Sequence, residues 1–124
     1  MIRKCTFLLL ILTSLSFANY LDTIRLAIFV NNQKTGYMLI TRQELNDTVI
    51  TVSKSVMKMQ RGNAANTIKT VEITTIFEDR NGKPLSFTHL STSNNMKRSF
   101  IGIFSDSGYI NVTESSSSGR KQYN

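Results

Sequence analysis

The segments TVITVSKSVMKM (residues 48–59) and TIKTVEITTIFED (residues 67–79), with Arg80-Asn81-Gly82-Lys83-Pro84 directly behind the second, decide the fold class. Both are dense in valine, isoleucine, threonine and serine, side chains that suit a pleated surface better than a helix. In the second, Val71, Ile73 and Phe77 fall on one face and Glu72, Thr74 and Glu78 on the other, the period of two that marks a strand. Asn-Gly followed by Lys-Pro is a strong turn signal that sends the chain back through Leu85-Ser86-Phe87. Two long neighbouring strands, one closed by a tight turn, predict an antiparallel sheet.

The same pattern extends in both directions. Upstream, Ile24, Leu26, Ile28 and Val30 alternate with Arg25, Ala27 and Phe29. Asn31–Gly36 reads as a turn, with Gly36 able to take a positive φ. Tyr37–Glu44 resumes the strand pattern, and Asn46-Asp47 and Arg61–Asn66 flank the 48–59 segment as connections. Downstream, Leu85–Ser93 keeps Leu85, Phe87 and His89 in phase, and Met96–Phe104 and Tyr109–Thr113 follow after Ser93-Asn94-Asn95 and Ser105–Gly108. No segment after residue 18 carries a 3.6-residue apolar stripe. The expectation is an all-β antiparallel meander of about seven strands.

A 13-residue strand spans roughly 40 Å at about 3.3 Å per residue. Right-handed twist accumulates over such a length and predicts a strongly curled sheet, a half-barrel or incomplete barrel. Residues 48–59 carry apolar side chains on both faces: Ile50, Val52 and Val56 on one, Val49, Met57 and Met59 on the other. One face is expected to line the concave interior, leaving the other to solvent or to a partner.

Residues 1–18 read as a secretory signal peptide. Arg3 and Lys4 form a positive start, Phe7–Leu12 an apolar centre, and Ser16-Phe17-Ala18 a small-residue cleavage site after Ala18. The apolar stretch is shorter than the ~20 residues a membrane span needs. The domain is then 19–114, and 115–124, with four consecutive serines, reads as a flexible polar tail. Cys5 is the only cysteine, so cleavage leaves a chain with no thiol, which fits a bacterial periplasm better than a disulfide-stapled secreted fold. Loss of Arg3 and Lys4 leaves 13 basic residues against 8 acidic ones. The expected location is periplasmic or secreted.

The inventory of reactive groups argues against an enzyme. His89 is the sole histidine and lies mid-strand without an elbow-like Gly-x-Ser-x-Gly anywhere in the chain. One histidine without cysteine does not supply the three or four ligands of a zinc site, and no cofactor or metal is expected. Glu78 and Asp79 are adjacent, so a strand points them to opposite faces; they suit the following turn better than acid–base work. Lys54, Lys58, Arg61, Lys69, Lys97 and Arg98 are spread over several segments without aromatic interleaving that would stack bases, so nucleic acid is not an expected partner. A solvated basic face is the simplest reading, with an acidic envelope surface or an acidic partner domain as the alternatives. Asn46-Asp47-Thr48 and Asn111-Val112-Thr113 match the glycosylation acceptor pattern; such triplets arise by chance, and they mean little if the source is bacterial.

Taken together in order, three pieces form a recognisable series. They are Ile28–Tyr37, then Met57-Lys58-Met59-Gln60-Arg61-Gly62, then Ile76-Phe77-Glu78-Asp79-Arg80-Asn81-Gly82-Lys83-Pro84-Leu85-Ser86-Phe87. The series resembles the N-terminal β-module found ahead of the catalytic core in bacterial exported transglutaminase-like (papain-type cysteine) proteins, over most of residues 24–113. The resemblance implies a non-catalytic module and carries no catalytic residue onto this chain. The cysteine, histidine and aspartate core that follows the module in that family is absent before Asn124. The expectation is a free-standing or truncated relative of the module.

The expected function is that of an exported, non-enzymatic β-domain that docks to another protein through a strand edge or a sheet face, with no particular binding residue singled out. The alternative is a carrier for a lipid or other apolar ligand, held in the concavity by Phe29, Phe77, Phe87, Phe100 and Phe104.

Overall fold

The computed structural model describes residues 21–60, 62 and 66–124. The expected signal peptide, residues 1–18, lies outside them. Eight strands form one sheet in chain order: β1 (Leu21–Val30), β2 (Gln33–Leu45), β3 (Thr48–Gln60), β4 (Thr67–Asp79), β5 (Pro84–Ser93), β6 (Met96–Phe104), β7 (Ile110–Ser116) and β8 (Gly119–Tyr123). Every neighbouring pair is antiparallel. The sheet is curled and open: β1 pairs only with β2, and β8 only with β7. Among the described residues there is no helix.

Turn chemistry sets these boundaries. Asn31 and Asn32 take φ of 50° and 60°, so the β1–β2 hairpin is a two-residue turn with both central residues left-handed. Asparagine tolerates that region and its handedness matches strand twist. This corrects the reading of Gly36 as the turn glycine: it lies inside β2, between Ile28 and Met57. Asn46 and Asn94 each put one left-handed residue into their turns, at φ of 53° and 51°. At the β4–β5 turn, Asp79 Oδ1 accepts the amides of Asn81 and Lys83, both at 2.8 Å, and Gly82 takes φ 81°. Register shifts at Ile28/Phe29 and Phe77/Glu78 add two bulges, which sharpen the local twist.

The eighth strand is the main departure from the sequence pattern. The chain from Ser115 to Asn124, expected as a tail, completes β7, turns at Ser117-Ser118 and returns as β8. Gly119-Arg120-Lys121-Gln122-Tyr123 is exposed throughout and has no apolar alternation to betray it. Its anchor is a single cluster. Glu114 accepts a hydrogen bond from the Tyr123 hydroxyl at 3.0 Å and pairs with Arg98 Nε at 3.1 Å, tying β6, β7 and β8 together. The carboxylate pushes the Tyr123 phenol above its ordinary pKa, mainly through that hydrogen bond. Tyr123→Phe is expected to speed amide exchange across Gly119–Tyr123 severalfold while leaving β4 and β5 unchanged. Equal exchange in the two proteins would show that the hydroxyl does not hold the strand.

The register sorts side chains onto two faces. The first, named here for Val49, takes Thr51, Ile76, Phe87, Phe100 and Glu114; the second, named for Lys54, takes Ile50, Val56, Val71, Ile73 and Phe77. The assignments made for residues 48–59 and 67–79 from their period therefore hold in the sheet. Neither face is covered by another element among the described residues. Among the described residues Val49 is the one large apolar side chain that is buried, at 7% exposure, and none is fully enclosed. A single layer has nothing to bury its faces against, so its apolar residues meet only cross-strand neighbours.

Candidate binding face

Charge divides unevenly between the faces. On the Val49 face acids and bases are interspersed: Asp22, Glu44, Glu72, Glu78 and Glu114 share it with Arg42, Arg98 and Lys121. Arg42 reaches over β3 to Glu78 at 4.0 Å, and Arg98 meets Glu114. Beyond the strand ends, Arg80 pairs with Glu44 at 3.0 Å and Lys83 with Asp106 at 2.7 Å. The Lys54 face carries Arg25, Lys54, Lys58, Lys69, Lys97 and Arg120, and none of these forms an ion pair among the described residues. Its one acid is Asp79, whose carboxylate is already turned onto the turn amides.

Apart from Lys54, which stands within it, these cations border an apolar floor. Leu39, Lys54, Ile73 and Leu90 form one row across β2 to β5, and Tyr37, Val56 and Val71 form the next. Tyr37 is 47% exposed and Leu90 40%. At the β1–β2 edge an open recess of about 430 Å³ is lined by Arg25, Ala27, Tyr37 and Leu39 of this face, by Leu26 and Met38 of the other, and by Lys34. Lys58 and Lys69 are direct cross-strand partners, an arrangement that disfavours the sheet because like charges face each other.

The basic residues singled out from sequence separate in the structure. Lys54, Lys58, Lys69 and Lys97 converge on one face, whereas Arg98, next in sequence to Lys97, points to the other and is paired with Glu114. Arg61 lies outside the described residues. The five phenylalanines offered as a cavity lining do not converge. Phe87, Phe100 and Phe104 share the Val49 face, with Phe87 and Phe104 edge to face at 6.2 Å; Phe77 is on the opposite face and Phe29 lies beyond the bulge of edge strand β1. The period could assign faces within a strand, but only the register joins one strand's faces to the next.

His89 sits part-buried, its Nδ1 2.9 Å from Thr74 Oγ1 and its ring 6.0 Å from that of Phe100. No carboxylate bonds the imidazole among the described residues. Glu78 and Asp79 face opposite sides, as alternation requires, one on Arg42 and the other on the turn. No group of three or more histidine, cysteine, aspartate or glutamate side chains is placed to hold a metal among the described residues.

The loop pair Lys83–Asp106 is solvent-exposed. Its hydrogen bond and charge hold Asp106 below the usual carboxylate range and raise Lys83. A depressed carboxylate stabilises the fold above its unfolded pKa of about 3.9, and that contribution is lost as pH falls through the folded value. Carboxyl NMR titration is expected to place Asp106 below its ordinary midpoint and to return it there in Lys83→Ala. An unchanged midpoint in that variant would remove Lys83 as the cause. Comparison of the chain with family models, curated proteins and solved structures finds no match.

Proposed function

We propose that this chain is an exported, non-catalytic β-domain that works by binding another protein through an uncovered face of its sheet. One observation carries the reading: an eight-stranded layer in which Val49 is the only buried large apolar side chain among the described residues. Contiguous exposed apolar surface of this kind marks an interaction site in a soluble protein, and sheets gain stability when one face is packed against a second layer. The resemblance of residues 24–113 to the module preceding transglutaminase-like cores points the same way, toward an accessory part beside a separate catalytic unit. A carrier for an apolar ligand draws less support, because its aromatic residues are divided between faces.

The test places a photo-cross-linking amino acid at Ile73 on the Lys54 face, or at Ile76 on the Val49 face, in cells of the source organism. The binding reading expects a protein adduct at one of these positions that is reconstituted from the two purified components. Lipid adducts alone would instead favour the carrier, and no adduct at either position would overturn the binding reading.

A further inference from the structure

We propose that the Lys54 face docks an acidic amphipathic segment of a partner protein, with apolar side chains on the Tyr37–Val56–Val71 floor and carboxylates against the cations. This rests on the reading that the chain binds a protein through a sheet face, and it names the face and the chemistry of what covers it. Three observations converge on this occupant.

The first is charge. The cations of this face form no ion pair among the described residues, whereas on the opposite face Arg42 and Arg98 are paired with Glu78 and Glu114. Complementary potential then selects a negatively charged surface and steers its approach. The second is the Lys58–Lys69 opposition, a repulsive contact within β3–β4 that carboxylates from a partner would relieve. The third is where Lys54 stands. It is not at the rim but within the floor, between Leu39 and Ile73. Laying this floor into hydrocarbon would bring an ammonium group with it, which is unfavourable. A folded acidic segment instead sets a carboxylate opposite Lys54 while its apolar stripe covers the floor, so a protein is favoured over a lipid surface.

The size also fits. From β1 to β6 the face spans five strand spacings, roughly 24 Å at about 4.8 Å each. A helix of about 16 residues, at 1.5 Å per residue, has that length.

The experiment uses the full chain and three probes in fluorescence anisotropy and vesicle sedimentation. They are an 18-residue helical peptide with a leucine stripe flanked by glutamates, the same peptide with lysines for the glutamates, and phosphatidylglycerol vesicles. The acidic peptide is expected to bind at least about tenfold more tightly than the basic one, with an affinity that falls as salt rises. Lys54→Glu is expected to lower that affinity by about tenfold or more, whereas Lys121→Glu, on the Val49 face, leaves it within about twofold. Equal affinity for the two peptides, insensitivity to Lys54→Glu, or vesicle binding without peptide binding would each overturn the proposal. Cross-linking separates its failure from that of the broader reading. A reconstituted partner attached only through Ile76 keeps protein binding and removes the Lys54 face; no partner at either position removes both.

Discussion

Val49→Asp is expected to unfold the chain in isolation, whereas Val49→Lys is expected to leave it folded. Val49 is buried between Glu44 on β2 and Glu78 on β4, its direct register partners. An aspartate there joins two carboxylates around Arg42, which is itself engaged with Glu78 at the long distance of 4.0 Å. An uncompensated buried charge costs about 3–5 kcal/mol, against the 5–15 kcal/mol typical of domains with a proper core. This sheet has no such core, so the substitution exceeds what its remaining contacts supply. A lysine enters the same position with an acid on either side, and its stem replaces part of the lost apolar contact. Val49→Ala falls between, at about 2 kcal/mol for two methyl groups at ~0.8 kcal/mol each. Urea denaturation followed by far-ultraviolet circular dichroism checks the order. Equal loss from aspartate and lysine would mean that burial alone, not the flanking carboxylates, sets the response.

That contrast depends on register, and register marks where the amino-acid pattern stops being informative. Strands β2, β4 and β5 were legible because each ends in residues with a specific backbone role: Asn46, the Asp79–Gly82 turn, and Asn94. Within β4, the alternation of Val71, Ile73 and Phe77 with Glu72, Thr74 and Glu78 assigns faces correctly. Strand β8 was hidden because an exposed edge strand needs no apolar face, and its anchor is a tyrosine hydroxyl meeting Glu114 across a turn of serines. Gly36 misled for a related reason: a glycine closing a polar run that begins with two asparagines suggests a turn, but the asparagines had already made it. The cationic face needed more than any local pattern. Lys54 and Lys58 share a phase within β3, but joining them to Lys69 and Lys97 requires the pairings Lys58 with Lys69 and Thr92 with Lys97.

Gly36→Val is expected to detach β2 from β3, and it tests whether the binding face requires both strands in place. A side chain at position 36 would run into the carbonyl of Val56 and come within 3.0 Å of the Met57 Cα. Both are backbone atoms of β3, so no rotamer change can make room. Gly102 is also crowded, but there the obstacle is the ring of Phe87, a side chain that can swing aside. Overpacking of that kind costs about 1–3 kcal/mol, so Gly102→Ala is expected to weaken the fold without breaking the ladder. Gly36→Val should exceed that range, because the chain must give up hydrogen bonds between β2 and β3 to accommodate it. Tyr37 and Val56, adjoining the strained contact, are opposite each other in the proposed docking floor. Loss of the pairing therefore separates two of its anchoring side chains. Amide exchange should accelerate from Ser55 to Lys58 by orders of magnitude while β5–β7 stay protected, and binding of the acidic peptide should fall with it. Native exchange at Ser55–Lys58 in Gly36→Val would show that β3 tolerates a side chain there. Native exchange in β5–β7 with unchanged peptide affinity would place the docking floor away from β2.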